Sequence, residues 1–147
     1  MKLVYSIVVL IAVALVLAVF IPQEKDVEKG RHTSITVANV TITAEVADTE
    51  GARRQGLSGR EQLFQDQGML FMFPVADFWG IWMKDMKFPI DILWVDEKFA
   101  VVHIEQSVLP NTYPKVFRPS VKARYVLELP DGFASRHAIF KGNIVTF

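Results

Sequence analysis

The segment Phe78–Asp96, FWGIWMKDMKFPIDILWVD, sets Lys84, Asp85, Lys87 and Asp91 among tryptophans, methionines and aliphatic residues. An ammonium beside a carboxylate in such company can recognise a charged ligand or lock a sheet. Two carboxylates held close split their pKa values into a proton donor and a proton acceptor. On a strand, Ile81, Met83 and Asp85 share one side while Trp82, Lys84 and Met86 share the other, so neither side is uniformly apolar. An enclosed Lys84 needs a carboxylate partner, and Asp91, across the Phe88–Pro89 turn, is the nearest candidate. In the alternative reading Lys84 lays its stem on Trp82 and keeps its head in water. Asp85 and Asp91 also suit ordinary turn positions beside Pro89 and at strand ends.

Other chemistries find less support. His32, His103 and His137 stand far apart with no ligand spacing, so no metal is expected, and the absence of cysteine excludes thiolate sites and disulfides. No serine sits in a Gly-x-Ser-x-Gly turn and no glycine loop is built to cradle phosphate, so neither a serine hydrolase nor a nucleotide cofactor is indicated. Arg53, Arg54 and Arg60 cluster around two short helical stretches, where an arginine fork suits a carboxylate or phosphate. Glu128 lies in YVLELP, where a buried strand would carry an apolar residue. It either faces water or pairs with one of these bases, and water is the reading we favour.

The elements that must position these groups are mostly strands. TSITVANVTITAEVA alternates on either side of Ala38-Asn39 as a hairpin would, and six further strand-like runs start at Gly68, Gly80, Asp91, Phe99, Arg124 and Asn143. Asp48 or Thr49 can cap a short helix that ends at Gly56, Ser58 and Glu61 have capping-box spacing for a second, and PDGFASRH suits one helical turn. Ser107–Ser120 holds three prolines and reads as a long irregular loop. The pattern predicts a mainly β (α+β) domain over 33–147, a compact sheet or partly closed barrel with two or three short helices.

Leu3–Ile21 carries no charge, and as a helix would span roughly 28 Å, close to a bilayer core. No small-x-small cleavage site follows it, so residues 1–22 read as an uncleaved anchor and 23–32 as a charged linker. Lys25, Lys29 and Arg31 follow the span while only Lys2 precedes it, which favours a cytoplasmic domain; the signal-like shape of the N-terminus favours the extracytoplasmic side, which we adopt. Without Lys2 the 16 basic residues fall to 15 against 16 acidic ones, leaving no basic field for nucleic acid.

The ordered set RRQGLSGREQL, GMLFMF, FWGIWMKDMKFPIDILWVD, YVLELPDG and KGNIV resembles the uncharacterised family called domain of unknown function 192, over nearly all of Ile35–Val145. The resemblance implies a small, mostly β domain, often behind an N-terminal signal or anchor. It draws attention to Arg53, Gly56, Leu57, Gly68, Met69, Trp82, Met83, Lys84, Pro89, Asp91, Glu128 and Gly142. Ser58 and Asp85-Met86 depart from the family pattern, which argues against an essential role at those positions.

The combined expectation is a membrane-anchored binding or interaction domain whose ligand or envelope-protein partner is unspecified. Its cleft would be formed by Trp79, Trp82, Met83 and Lys84, with Asp91, Arg53 and Glu128 as further ligand-binding candidates. The competing readings are an envelope-acting hydrolase using Asp91 or Glu128 as general base, and a structural protein with no small-molecule site.

Overall fold

The computed structural model describes residues 30–147. The apolar run Leu3–Ile21 and most of the linker lie outside those residues. Among the described residues, no helix is long and apolar enough to cross a membrane.

Alternation in the first described segment produces the hairpin of β1 (His32–Val37) and β2 (Val40–Ala47). Ala38 and Asn39 both take positive φ, 47° and 65°, as a tight two-residue hairpin turn requires. Helix α1 (Glu50–Gln55) follows, with the Ala52 N–H donating to the Thr49 hydroxyl at 3.1 Å and Gly56, at φ 50°, ending it. The remaining strands are β3 (Gln67–Asp77), β4 (Ile81–Trp82), β5 (Ile90–Val95), β6 (Val101–Val108), β7 (Val116–Phe117), β8 (Ala123–Pro130) and β9 (Val145–Thr146), with a turn of helix, α2 (Phe133–Arg136), after β8.

Seven strands form one sheet in the order β6-β5-β8-β3-β2-β1-β9, antiparallel except where β2 meets β3. The sheet curls into a half-barrel. Its two edges are tied by backbone bonds: the Val145 N–H donates to Phe99 O at 2.8 Å, Gly142 to Val101 O at 2.8 Å, and Val101 to Asn143 O at 2.9 Å. The concave face encloses Ile35, Leu70, Leu93, Leu127, Leu129 and Phe133. On the convex face Met69, Phe71, Ile92, Trp94 and Val126 are covered by Leu57 and by the segment carrying Ile81, Met83 and Phe117. From Val126 onward β8 is therefore buried on both sides, as a near-continuous apolar strand should be.

Asp91 is wholly buried, at the start of β5 on the concave side with Leu93 and Val95. Its Oδ1 accepts the Ser107 amide at 2.8 Å and the Gly132 amide at 3.2 Å, and its Oδ2 accepts the Ala134 amide at 2.8 Å. Three backbone donors at the joint between β5, β6 and α2 thus find one acceptor group, which holds α2 across one end of the barrel.

The expected pairing of the Trp-Met-Lys and Pro-Ile-Asp strands does not occur. β4 pairs with β7 in a separate two-stranded ribbon, and the neighbours of β5 are β6 and β8. Lys84 is exposed, and among the described residues it forms no ion pair with Asp91 or any other carboxylate. Asp85 is exposed on a turn at φ 55°, so it and Asp91 form no acid–base pair. Ser58 caps no second helix. Its hydroxyl donates to Lys84 O at 2.8 Å, while Glu61 pairs with Lys87. The proline-rich loop is more ordered than its composition suggests, since it holds a 3-10 turn at Pro110–Thr112 and β7.

Removing the Asp91 carboxylate leaves three amides without their acceptor; the buried Ala134 N–H costs about 1–3 kcal/mol, and the part-buried Ser107 and Gly132 N–H groups add less. Asp91→Ala should lower the urea midpoint by the equivalent of about 3 kcal/mol with no change in slope. An unchanged midpoint would show that the carboxylate does not hold α2 in place.

Candidate functional site

Glu128 lies on β8 directly between Met69 of β3 and Ile92 of β5. Its strand neighbour two residues back, Val126, belongs to the convex-face core, so the Glu128 side chain rises into that layer rather than into water. The residue is 5% exposed, which corrects the expectation of a solvated strand position. Among the described residues no hydrogen bond is made by its carboxyl oxygens, which are not sealed off but open on a hollow, the one sealed polar side-chain atom without a partner among those residues being His103 Nδ1. Burial pushes its pKa up from 4.5 to about 8, and the charge of Arg60, which is paired with Glu45 at 2.6 Å, offsets only part of that. At neutral pH Glu128 is therefore an uncharged acid, able both to donate and to accept a hydrogen bond.

Above it is a hollow of about 220 Å³. Glu128 is in its wall with Leu57, Phe71, Phe73 and Ile81; Arg53, Arg54 and Trp82 stand around it as well. Gly56 allows the chain to turn sharply after α1 and lets the Phe71 ring approach to where a Cβ would be, 3.3 Å away. Arg53 is held in place: its Nη1 donates to Asp48 O at 2.5 Å and to Met72 O at 2.8 Å, and its guanidinium lies 5.4 Å from the Phe73 ring centre. Trp82 is 49% exposed, leaving much of its ring for a visitor.

Of the seven residues singled out from the sequence, the hollow brings together Arg53, Trp82 and Glu128. Met83 is buried in the convex core. Trp79 stacks on Phe73 with ring centres 4.2 Å apart, donates to Val75 O at 2.9 Å, and accepts the Trp94 indole N–H on its own carbonyl at 2.8 Å; it is a brace beneath the site. Lys84 lines an adjacent open depression that shares Arg54, Gln55 and Ser58 with the hollow, and Asp91 is on the opposite face of the sheet. Sequence reasoning missed Phe71, Phe73 and Ile81, which look like any core residue, while Leu57 and Gly56 were marked by the family resemblance alone. The signal carried by the residues themselves was Glu128, a charge within the apolar run YVLELP.

The family model for DUF192, Uncharacterized ACR, matches residues 33–147. A protein of unknown function from Novosphingobium aromaticivorans DSM 12444 has a similar solved structure, with 25% identity and a TM-score of 0.78 over 83% of this chain and 89% of that one. A second, described as a "putative transcription regulator" from Sinorhizobium meliloti 1021, shares 26% identity with a TM-score of 0.75 over 80% of this chain and 94% of its own. No curated protein matches the chain.

Because the folded state holds the Glu128 proton between pH 4.5 and about 8 while the unfolded chain has released it, stability falls as pH rises through that window. The full loss is on the order of 5 kcal/mol, at about 1.4 kcal/mol per pKa unit. Glu128→Gln should match the parent near pH 4 and exceed it above pH 8 in urea unfolding. Parallel pH profiles for the two proteins would contradict a proton held in the folded state.

Proposed function

The chain belongs to the DUF192 family, and from that premise we propose that residues 33–147 form a small-ligand binding domain, anchored to a membrane by Leu3–Ile21 and lying on its extracytoplasmic side. The observation that carries the reading is the buried Glu128 carboxyl, without a hydrogen-bond partner among the described residues, opening on a hollow whose wall combines Leu57, Phe71, Phe73 and Ile81 with the polar groups of Arg53 and Arg54. A buried polar group left unsatisfied is costly, and a ligand that supplies the missing hydrogen bonds recovers that cost. The volume is below the roughly 300–1,000 Å³ of sites for drug-sized molecules, which favours a small molecule or a single peptide side chain. A neutral carboxyl pairs best with a neutral donor–acceptor group such as an amide, with apolar or aromatic atoms against Phe71, Phe73 and Trp82.

The hydrolase reading has less support. Asp91 is saturated by backbone amides on the other face, and Glu128, with its pKa pushed up to about 8 by burial, mostly keeps its proton at neutral pH and is a poor base there. The other carboxylate around the hollow, Glu50, is exposed and paired with Arg54. A role like that named for the Sinorhizobium protein is not favoured either, because 16 basic and 16 acidic residues leave no net field for nucleic acid.

The direct test is an amide-shift titration of the isotopically labelled protein with 4-phenylbutyramide at pH 6.5. Shifts should centre on Leu57, Phe71, Phe73 and Trp82, weaken above pH 8, and vanish in Glu128→Leu. Shifts scattered over the surface, or equal in the parent and Glu128→Leu, would remove the binding reading and leave the structural one.

A further inference from the structure

The barrel has two unlike ends. α2 crosses one, held there by Asp91. At the other is an opening of about 190 Å³, lined by Thr33, Val46, Leu70, Met72 and Phe147 and bordered by Arg31 and His32; the loop between β5 and β6 meets it through Phe147. Phe99, in that loop, stacks with Tyr125 at 5.5 Å, and Phe147 meets both rings edge-on at 5.4 Å and 5.2 Å. Phe99 and Phe147 remain 39% and 40% exposed; other rings such as Phe64 and Phe140 are more exposed, but these two are packed with Tyr125 into one aromatic cluster at the end where the chain enters.

The chain enters the domain at this same end, since Arg31 and His32 border the opening and β1 runs away from it. From Pro22 to Gly30 the connecting segment can reach at most about 30 Å, so an apolar run seated in a bilayer keeps this end of the domain close to the lipid surface. Arg31 is paired with Asp48 at 3.0 Å and Arg124 with Glu97 at 3.3 Å, and the loop beside Phe99 carries Asp96 and Lys98, of opposite sign, so this face has no strong net charge to set against the rings.

We infer that the aromatic mouth of the barrel rests on the bilayer to which the chain is tethered, its rings at the level of the lipid headgroups, where aromatic side chains are favoured. This rests on the anchoring proposed above. The hollow around Glu128, on the convex flank, then stays open to the aqueous side.

The full chain contains no cysteine, so single labelling sites are clean. Lys98→Cys, beside Phe99, and Ser135→Cys, on α2, would each be labelled with nitrobenzoxadiazole. The proteins would then be reconstituted into phosphatidylcholine vesicles containing headgroup-nitroxide lipid. Docking predicts several-fold stronger quenching at 98 than at 135, with the difference abolished by Phe99→Ser plus Phe147→Ser while flotation with the vesicles persists. Equal quenching in floating protein overturns the docking and leaves the anchor standing; failure to float overturns both. Because the tether alone brings position 98 nearer the lipid, the aromatic variants decide: a difference between the labels that survives Phe99→Ser overturns the docking, and this single change at a 39% exposed ring serves if the double variant does not fold.

Discussion

The constraint that organises this molecule is a carboxyl group in an apolar layer. β8 is a central strand, flanked by β3 and β5, and from Val126 onward it is covered on both faces, so that half of the strand has no solvated side on which to place a charge. Glu128 stays within it by keeping its proton, since the charge of Arg60, which is paired with Glu45, offsets only part of the effect of burial. The roof follows from the same need. Leu57 and the segment leading through β4 cover the convex face closely enough to desolvate the acid, yet leave a hollow beside it.

Asp91 and Glu128 are the two buried acids among the described residues, and they have opposite fates. Asp91 meets three backbone amides and spends its hydrogen-bonding capacity on joining β5, β6 and α2. Glu128 meets hydrocarbon and keeps its capacity in reserve. Register separates them: Asp91 stands opposite Leu129 and Ile92 opposite Glu128, so adjacent rungs of one ladder send the two carboxyls to opposite faces of the sheet.

Much of this arrangement was legible in the residues. The hairpin turn at Ala38-Asn39, the Thr49 cap, the Gly56 stop and the helical turn after Pro130 each rest on local chemistry, and local chemistry decides them in the fold. The site was only partly legible, because Arg53, Trp82 and Glu128 are distant in sequence and meet through sheet order. The pairing of β3 with β8 and of β4 with β7 is non-local, and an apolar run carries no mark of which neighbour it will take. The same limit misled the reading of Lys84 and Asp91. They stand close in the chain, but a short outer ribbon takes Trp82 away from β5.

The protonation state of Glu128 in the folded protein is the central claim, and infrared difference spectroscopy between the parent and Glu128→Gln observes it directly. The protonated-carboxyl C=O stretch should be present in the parent at pH 7, absent from the variant, and lost with a midpoint near pH 8. A parent spectrum lacking that band at pH 6, with carboxylate bands in its place, would contradict the account.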